Sequence, residues 1–144
     1  MFTKSGMSRI ERAVFDTNIL VSAYLWSGTP RRALEVVRAG RVELISSTAA
    51  IEEFIRVLGY PKFGFSPEEI APFVDDLLSI TQLVVPPTLD VVTADPSDNL
   101  FLGIAVKGSC QVVVSGDHHL VTLKRFRSIQ IMTVSEFMRA MRTP

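Results

Sequence analysis

The sequence predicts an α/β protein, a three-layer sandwich in which a central parallel sheet of about five strands lies between helices. Short β-branched runs alternate with amphipathic stretches of helical period, which is typical of this class. The strand runs are apolar throughout, as in a sheet that is buried on both faces. The 144 residues contain no internal repeat or linker. We therefore expect one domain over residues 1–144, with its core at about 12–138.

Composition excludes several classes of protein. The hydrophobic fraction is 47% and the charged fraction 21%, which is typical of globular rather than disordered chains. No apolar stretch approaches the ~18 residues of a membrane span, and residues 1–12 lack the apolar core of a secretory signal. The single Cys110 excludes an internal disulfide and a Cys-rich zinc site. These features predict a cytoplasmic protein without membrane contact.

The net charge of the chain limits how it could bind a nucleic acid. Lys+Arg and Asp+Glu balance at 15 each, so the whole molecule carries no field that would attract a polyanion. If the protein handles nucleic acid, it must do so through a local patch or a metal ion.

The first half of the chain supplies clear element boundaries. The segment 17–26 is apolar nearly all round and predicts a buried helix. The next helix has Thr29 as its expected N-cap, Pro30 in its first turn and Gly40 beyond its end. Ser47 or Thr48 caps the third helix. The predicted strands of the whole chain are residues 12–15, 42–46, 82–85, 111–115 and 129–133.

The second half of the chain also shows where its helices begin and end. Ser66, Pro67 and Glu69 form the pattern of a capping box, and that helix is expected to run to about residue 78. Asp95 and Pro96 open the next helix, which Gly108 closes. A short helix is expected at 119–124, and Ser135 is the expected cap of the last one.

Four carboxylates fall where such a fold gathers functional groups. In open α/β sheets, ligands bind beyond the carboxyl ends of the strands. Asp16 follows the first strand, Asp117 follows the fourth, Glu53 lies on the helix after the second, and Asp98 lies in a helix first turn. Gathered carboxylates raise one another's pKa, and a hard divalent cation such as Mg²⁺ resolves that.

Each acid also has a structural explanation. Asp16, Asp95 and Asp117 are well placed to cap helices, and Asp98 can be a favourable charge near a helix N-terminus. Glu53 borders the apolar stripe of its helix more closely than Glu52 does, but the preference is weak. Spacing alone indicates an acidic crevice and no particular reaction.

Four segments resemble PIN-domain nucleases, in the order in which that family carries them. The segment 14–23 combines an apolar strand, Asp-Thr-Asn and an apolar helix. The likeness continues in the segments 47–58, 95–99 and 113–120, with Ala105 seven residues after Asp98. It covers residues 13–138 and is nearest to proteins described as toxins of prokaryotic toxin–antitoxin pairs.

The resemblance implies a role for each acid. Asp16, Glu53, Asp98 and Asp117 match the catalytic acids of the family, and Asp16, Asp98 and Asp117 would be the metal ligands. It favours Glu53 over Glu52 because an aromatic residue follows, and Asp98 over Asp95 because of the spacing to Ala105. The residues that would support the site are Thr17, Asn18 and Ser115. Many relatives carry a further acid after the fourth, where this chain has His118 and His119, so a second tightly held metal is in doubt.

The implied reaction is Mg²⁺- or Mn²⁺-dependent hydrolysis of phosphodiester bonds in single-stranded or structured RNA. The expected partners are the RNA, an antitoxin protein and a second copy of the chain, the last through the segments 24–26 and 63–65. The candidate RNA-binding cations form two clusters, Arg31 with Arg32, and Lys124 with Arg125 and Arg127.

Three alternatives compete with this interpretation. A haloacid-dehalogenase-like phosphatase would need an aspartate where Asn18 stands. A receiver domain would need a lysine after its last strand, where Val134 and Ser135 follow instead. The serious alternative is a PIN fold that binds RNA or protein with little catalysis, since one fold hosts several functions.

Overall fold

The structure is a computed structural model that describes residues 9–91 and 96–142. Its strands are β1 (Arg12–Phe15), β2 (Glu43–Ser46), β3 (Thr81–Leu83), β4 (Val112–Val114), β5 (Arg125–Phe126) and β6 (Ile129–Met132). Its helices are α1 (Thr17–Leu25), α2 (Thr29–Arg38), α3 (Thr48–Leu58), α4 (Pro67–Ser79), α5 (Pro96–Lys107), α6 (His118–Leu123) and α7 (Val134–Arg142).

The strands form one sheet in the order β3-β2-β1-β4-β6-β5. All neighbouring pairs are parallel except β5 with β6. The predicted α/β class and the predicted parallel sheet of five strands are therefore confirmed. The sequence analysis did not predict the additional strand β5. This strand has only two residues, and Lys124 and Arg127 on either side of it adopt positive φ angles of 62° and 55°.

Each face of the sheet packs against its own layer of helices. Successive strand residues point to opposite faces, so each strand contributes to both cores. One core contains Ala13, Phe15, Leu44, Val112, Val114 and Met132, together with residues of α1, α2, α3, α4 and α7. The other contains Val14, Ile45, Val113 and Ile131, together with Phe101, Leu102, Ile104 and Ala105 of α5 and Leu120 of α6. This burial of both faces explains why the strands read as continuous apolar runs.

Most of the predicted helix starts are present. Ser47 Oγ accepts a hydrogen bond from Ala50 N at 3.2 Å. The capping box is complete, because Ser66 Oγ accepts from Glu69 N at 3.2 Å and Glu69 Oε1 accepts from Ser66 N at 2.9 Å.

Two predicted caps were wrong, and each lies close to the true one. The N-cap of α2 is Gly28, whose φ of 135° favours glycine, and Thr29 is the first helical residue. The reciprocal bonds at the start of α7 join Thr133 to Glu136 instead of using Ser135. The third strand also begins and ends earlier than the predicted 82–85, at Thr81–Leu83. The predicted cap Asp95 lies outside the described residues.

The strand order reverses direction at β1, which places a ligand crevice at its carboxyl end. The chain passes from β1 to β2 and β3 on one side, then returns to β4 and β6 on the other. In doubly wound sheets the loops after two such strands diverge and open a crevice. The loops after β1 and β4 carry Asp16 and Asp117.

The helices are all short or polar compared with a membrane-spanning segment. Among the residues that the structure describes, none has both the length and the hydropathy that a span requires.

Candidate active site

Asp16 follows β1 at this carboxyl end and is almost completely buried, with 4% of its surface exposed. Its backbone N–H donates to Val114 O at 3.0 Å, which extends the pairing of β1 with β4 by one bond. Its Oδ1 accepts from Ile19 N at 2.9 Å and so caps α1. Burial raises the pKa of Asp16 against the lowering effect of its hydrogen bonds. The predicted cap and the predicted catalytic acid are thus the same carboxyl group, with one oxygen committed to the helix.

The loop after β4 holds the other oxygen of this carboxylate. Ser115 is fully buried, and its Oγ donates to Asp16 Oδ2 at 2.5 Å. Gly116 N donates to the same carboxylate oxygen at 3.3 Å. Ser115 Oγ also accepts from Asp117 N at 2.9 Å, so one hydroxyl bonds both the carboxylate of Asp16 and the backbone of Asp117. The role of Ser115 in supporting a metal site stays a prediction.

Asp117 is partly exposed and lies close enough to Asp16 for the charges to interact. Its Oδ1 accepts from His119 N at 2.8 Å and caps α6. Its negative charge adds to the rise in the pKa of Asp16. The structure therefore brings Asp16 and Asp117 together at the carboxyl edge, as their positions after β1 and β4 predicted.

Glu53 faces the start of α5 across the crevice. Its Oε1 accepts a hydrogen bond from Ser97 Oγ at 3.1 Å. Its Oε2 is buried and has no hydrogen-bond partner in the part of the chain that the structure describes. Glu52, in contrast, is exposed. The two neighbouring glutamates therefore differ in their surroundings, since Glu52 faces solvent and Glu53 faces α5. A cation or a water molecule can satisfy the unpartnered oxygen of Glu53.

Asp98 lies in the first turn of α5 and is 3% exposed. The helix packs against β1, β2 and β4, and Ser97 in the same first turn donates to Glu53. Its neighbour Asn99 accepts a bond from Val91 N at 2.8 Å and ties the incoming segment to the helix. Farther along, a Cβ on Gly103 would lie 2.7 Å from Pro87 O, so only glycine permits this approach.

The remaining predicted residues behave differently from one another. Thr17 is buried, and its Oγ1 has no hydrogen-bond partner among the residues described. Asn18 is exposed on the outer side of α1. Sequence reasoning missed Ser97 and Gly116, which contact the acids directly. The only sequence signal was that each of them directly precedes a predicted acid. That signal is weak, because serine and glycine are common in turns and at helix starts.

The donor set fits a hard cation in part. Within residues 9–91 and 96–142, no group of three His, Cys, Asp or Glu side chains lies close enough to hold a metal ion. The three-carboxylate set of Asp16, Asp98 and Asp117 is therefore still a prediction. Mg²⁺ is usually held by one or two carboxylates with waters and substrate phosphates, and Asp16 and Asp117 supply carboxylates of this kind in neighbouring loops. The unsatisfied oxygens of Glu53 and Thr17 add oxygen donors.

The predicted cations lie on two different parts of the fold, at the start of α2 and after α6. Arg31 donates to Ala23 O at 3.2 Å and to Tyr24 O at 3.1 Å, at the last turn of α1. Arg32 donates to Thr29 Oγ1 at 2.8 Å. Lys124 and Arg125 are exposed beyond α6. The second cluster is thus the one next to the acidic loop.

The two histidines and the predicted dimer segments are at the surface. His118 and His119 are exposed at the start of α6, with ring centroids 6.0 Å apart. Trp26 is 53% exposed, and its ring centroid lies 6.0 Å from that of Phe63. The Phe63 ring in turn stacks with Phe65 at 6.5 Å. These three rings form one aromatic patch.

Comparison with known proteins supports the fold. The family model described as "PIN domain" matches residues 12–119. The crystal structure of PAE2754 from Pyrobaculum aerophilum is similar over 97% of this chain and 95% of that chain, with a TM-score of 0.58 and 14% sequence identity. At that identity the likeness supports the fold alone. No curated protein matches the chain.

Proposed function

The chain belongs to the PIN domain family, and on that premise we propose that it is an endoribonuclease that uses Mg²⁺ or Mn²⁺. PIN domains are generally nucleases and typically use divalent metals. The observation that carries the proposal is the arrangement at the carboxyl edge. Ser115 Oγ donates to the Asp16 carboxylate and accepts from the backbone N–H of Asp117, so the loop that carries Asp117 is anchored to Asp16.

Each residue has a distinct role in the proposed reaction. Asp16, Asp98 and Asp117 would hold the ion, directly or through water. The ion, when bound, lowers the pKa of a coordinated water and neutralises charge on the phosphate oxygens. Ser115 fixes the orientation of Asp16, and hydrogen bonds that orient a ligand tune the affinity of a metal site. Glu53 has one oxygen bonded to Ser97 and one without a partner among the described residues. In the proposed reaction this second oxygen would orient the attacking water and accept its proton.

The proposed substrate is RNA and the proposed setting is a toxin–antitoxin pair in the cytoplasm. Both rest on the resemblance of the four acidic segments. We also propose that the chain forms a homodimer through the aromatic patch of Trp26, Phe63 and Phe65. Size-exclusion chromatography with light scattering tests this, with Trp26→Ala expected to yield monomer. A parent that is already monomeric at high concentration would contradict it.

Cleavage of a labelled single-stranded RNA by the purified protein tests the activity. The parent should cleave with Mn²⁺ and stop on addition of EDTA, and Asp16→Asn should be inactive in both conditions. Cleavage that continues after full chelation would exclude the metal mechanism. Cleavage by Asp16→Asn equal to that of the parent would indicate a contaminating nuclease.

The alternative is a PIN fold that binds RNA or a protein without cleaving. It is favoured by the absence, in the described residues, of three ligand side chains gathered at one point. The same assay separates the two candidates, because a binding module would retain RNA in a gel shift and leave it uncut in Mn²⁺.

A further inference from the structure

A pocket lies beside β6, the strand that neighbours β4 and its acidic loop. It has a volume of about 550 Å³ and is lined by the end of α6, by β6 and by α7. Its polar walls are Lys124, Gln130, Glu136 and Arg139. We propose that this pocket binds a backbone phosphate of the RNA strand that is cleaved, with Lys124 and Arg139 as its ligands. The inference rests on the proposed function and adds the position at which the protein holds its substrate.

Both cations are available to an external anion. Lys124 and Arg139 are exposed. Two ion pairs form across residues 9–91 and 96–142, Arg12 with Glu43 and Arg38 with Asp76, and neither involves these side chains. No hydrogen bond in the described ranges holds the Lys124 ammonium or the Arg139 guanidinium in place.

The one acidic residue that lines the pocket, Glu136, already accepts a hydrogen bond from the backbone. Glu136 Oε1 accepts from Thr133 N at 3.0 Å, and this bond caps α7. That backbone bond is the main reason why the pKa of Glu136 is lowered, and the charges of Arg139 and Lys124 add to the effect. Two cations therefore face one carboxylate that is already bonded, which leaves a net positive charge in the pocket.

The pocket is connected to the acidic site through the sheet. Met132 lines it, and Met132 O accepts from Ser115 N at 2.9 Å. Ser115 is the residue whose hydroxyl holds Asp16. Along the chain, α6 separates Asp117 from Lys124, and a helix of six residues is about 9 Å long. One strand of RNA can therefore reach both the acids and the two cations.

The chemistry of the pocket favours a nucleotide. Arginine binds phosphate through its planar fork of donors, and lysine binds it as a point charge. Val121, Ile131 and Met132 provide an apolar wall for a ribose or base. A volume of this size lies within the range of small-ligand pockets. The acids at the crevice repel a polyanion, so cations beside them are needed to hold the strand in place.

The test is binding of a fluorescent 12-nucleotide single-stranded RNA in EDTA, where no cleavage occurs. Lys124→Gln combined with Arg139→Gln should weaken binding at least about tenfold. The slope of log K against log salt should become shallower by about 0.7 for each phosphate that the variant no longer neutralises. The matched control is Arg9→Gln with Lys107→Gln, which removes the same charge from two exposed residues, one ahead of β1 and the other at the end of α5. It should change affinity less than about twofold.

Equal affinity and equal salt dependence in the double variant and the control would overturn the inference and leave the pocket to an acidic protein partner. That failure differs from failure of the proposed function. A parent that cleaves RNA while the double variant binds normally contradicts only the pocket. In Mn²⁺, the double variant should raise KM more than it lowers kcat, since it removes binding that is present before the reaction.

Discussion

Ser115 Oγ donates to Asp16 Oδ2 at 2.5 Å across 99 residues of sequence, and this bond ties the ends of β4 and β1 together. The same hydroxyl oxygen accepts from Asp117 N at 2.9 Å. The first bond orients the Asp16 carboxylate, and the second fixes the backbone of Asp117. At a metal site of the proposed kind, side chains held in place by such bonds would keep the geometry that the ion requires.

Ser115→Ala should therefore weaken the response to metal while leaving the fold intact. The variant loses the donor to Asp16 and the acceptor for Asp117 N. Removal of a hydrogen bond that orients a metal ligand typically costs about 10–100-fold in metal affinity or activity. A Mn²⁺ titration of RNA cleavage measures it. The control is Ser135→Ala, an exposed serine near the start of α7, which should titrate like the parent.

Asp117→Asn should melt at the same temperature as the metal-free parent or higher. The change removes a negative charge beside the buried Asp16, and asparagine caps α6 about as well as aspartate. Millimolar Mn²⁺ should raise the melting temperature of the parent, because an ion that binds only the folded state stabilises it. It should raise that of the variant less. A parent whose melting temperature ignores Mn²⁺ would count against the site.

Glu53→Gln should lower the rate of RNA cleavage by about 10²-fold or more, the usual contribution of a positioned acid or base. The carboxylate is held by Ser97 at 3.1 Å and has an oxygen left for the reaction. Glu52→Gln changes the adjacent exposed glutamate in the same way and should be nearly neutral. Single-turnover rates of the two variants decide the matter. If the two variants lose the same fraction of the rate, Glu53 has no special part in the reaction, and the loss comes from a change in α3 that both variants share.

The pH dependence of stability should have a contribution from Asp76. Its Oδ2 accepts from Tyr24 OH at 2.7 Å and from Arg38, which joins α4 to α1 and α2. The hydrogen bond from Arg38 lowers the pKa of Asp76 below its ordinary value of 3.8. The folded state thus binds fewer protons, so this stability is present above pH 3.8 and is lost as pH falls through the lowered pKa.

Asp76→Asn should accordingly reduce stability at neutral pH and flatten its decline in acid. Urea unfolding at a series of pH values between about 2.5 and 7 measures both effects. Asp75→Asn, which alters the exposed neighbour, should retain the slope of the parent. A parallel shift of the Asp76→Asn curve at every pH would show that the pair contributes no proton linkage.

Gly103→Ala should destabilise the protein by about 1–3 kcal/mol, although alanine is the better helix former. The added methyl would lie 2.7 Å from Pro87 O and 3.3 Å from Pro86 Cβ. Gly59→Ala offers a control, because there the nearest atom is at 3.5 Å. Thermal melts should place Gly103→Ala below the parent and Gly59→Ala close to it. No difference between the two would mean that the 86–87 segment yields easily.

Much of the fold could be predicted because its signals are local. Buried strands are short apolar runs, and the capping box of α4 lies within Ser66 to Glu69. The two-residue β5 could not be predicted, since it depends on pairing with β6 and on the positive φ of Lys124 and Arg127. Gly28 gives no signal as a cap because it offers no side chain.

The site was predictable to the extent that strand ends carry acids. Asp16 and Asp117 lie together because β1 and β4 are neighbours, which the chain order suggests but does not require. The bond between Glu53 and Ser97 joins two helices across 44 residues of sequence, and no local pattern signals such a contact. The choice of Glu53 over Glu52 rests on the family resemblance, and the exposure of Glu52 agrees with it.

The pairing of β1 with β4 also sets when the site can exist. Ala13, Val14 and Phe15 pair with Val112, Val113 and Val114, so Asp16 gains these neighbours only after β4 has been synthesised. A nascent chain that stops short of β4 has Asp16 without Ser115 or Asp117. Under the proposed function, such a chain would lack both the second acid and the hydroxyl that orients the first.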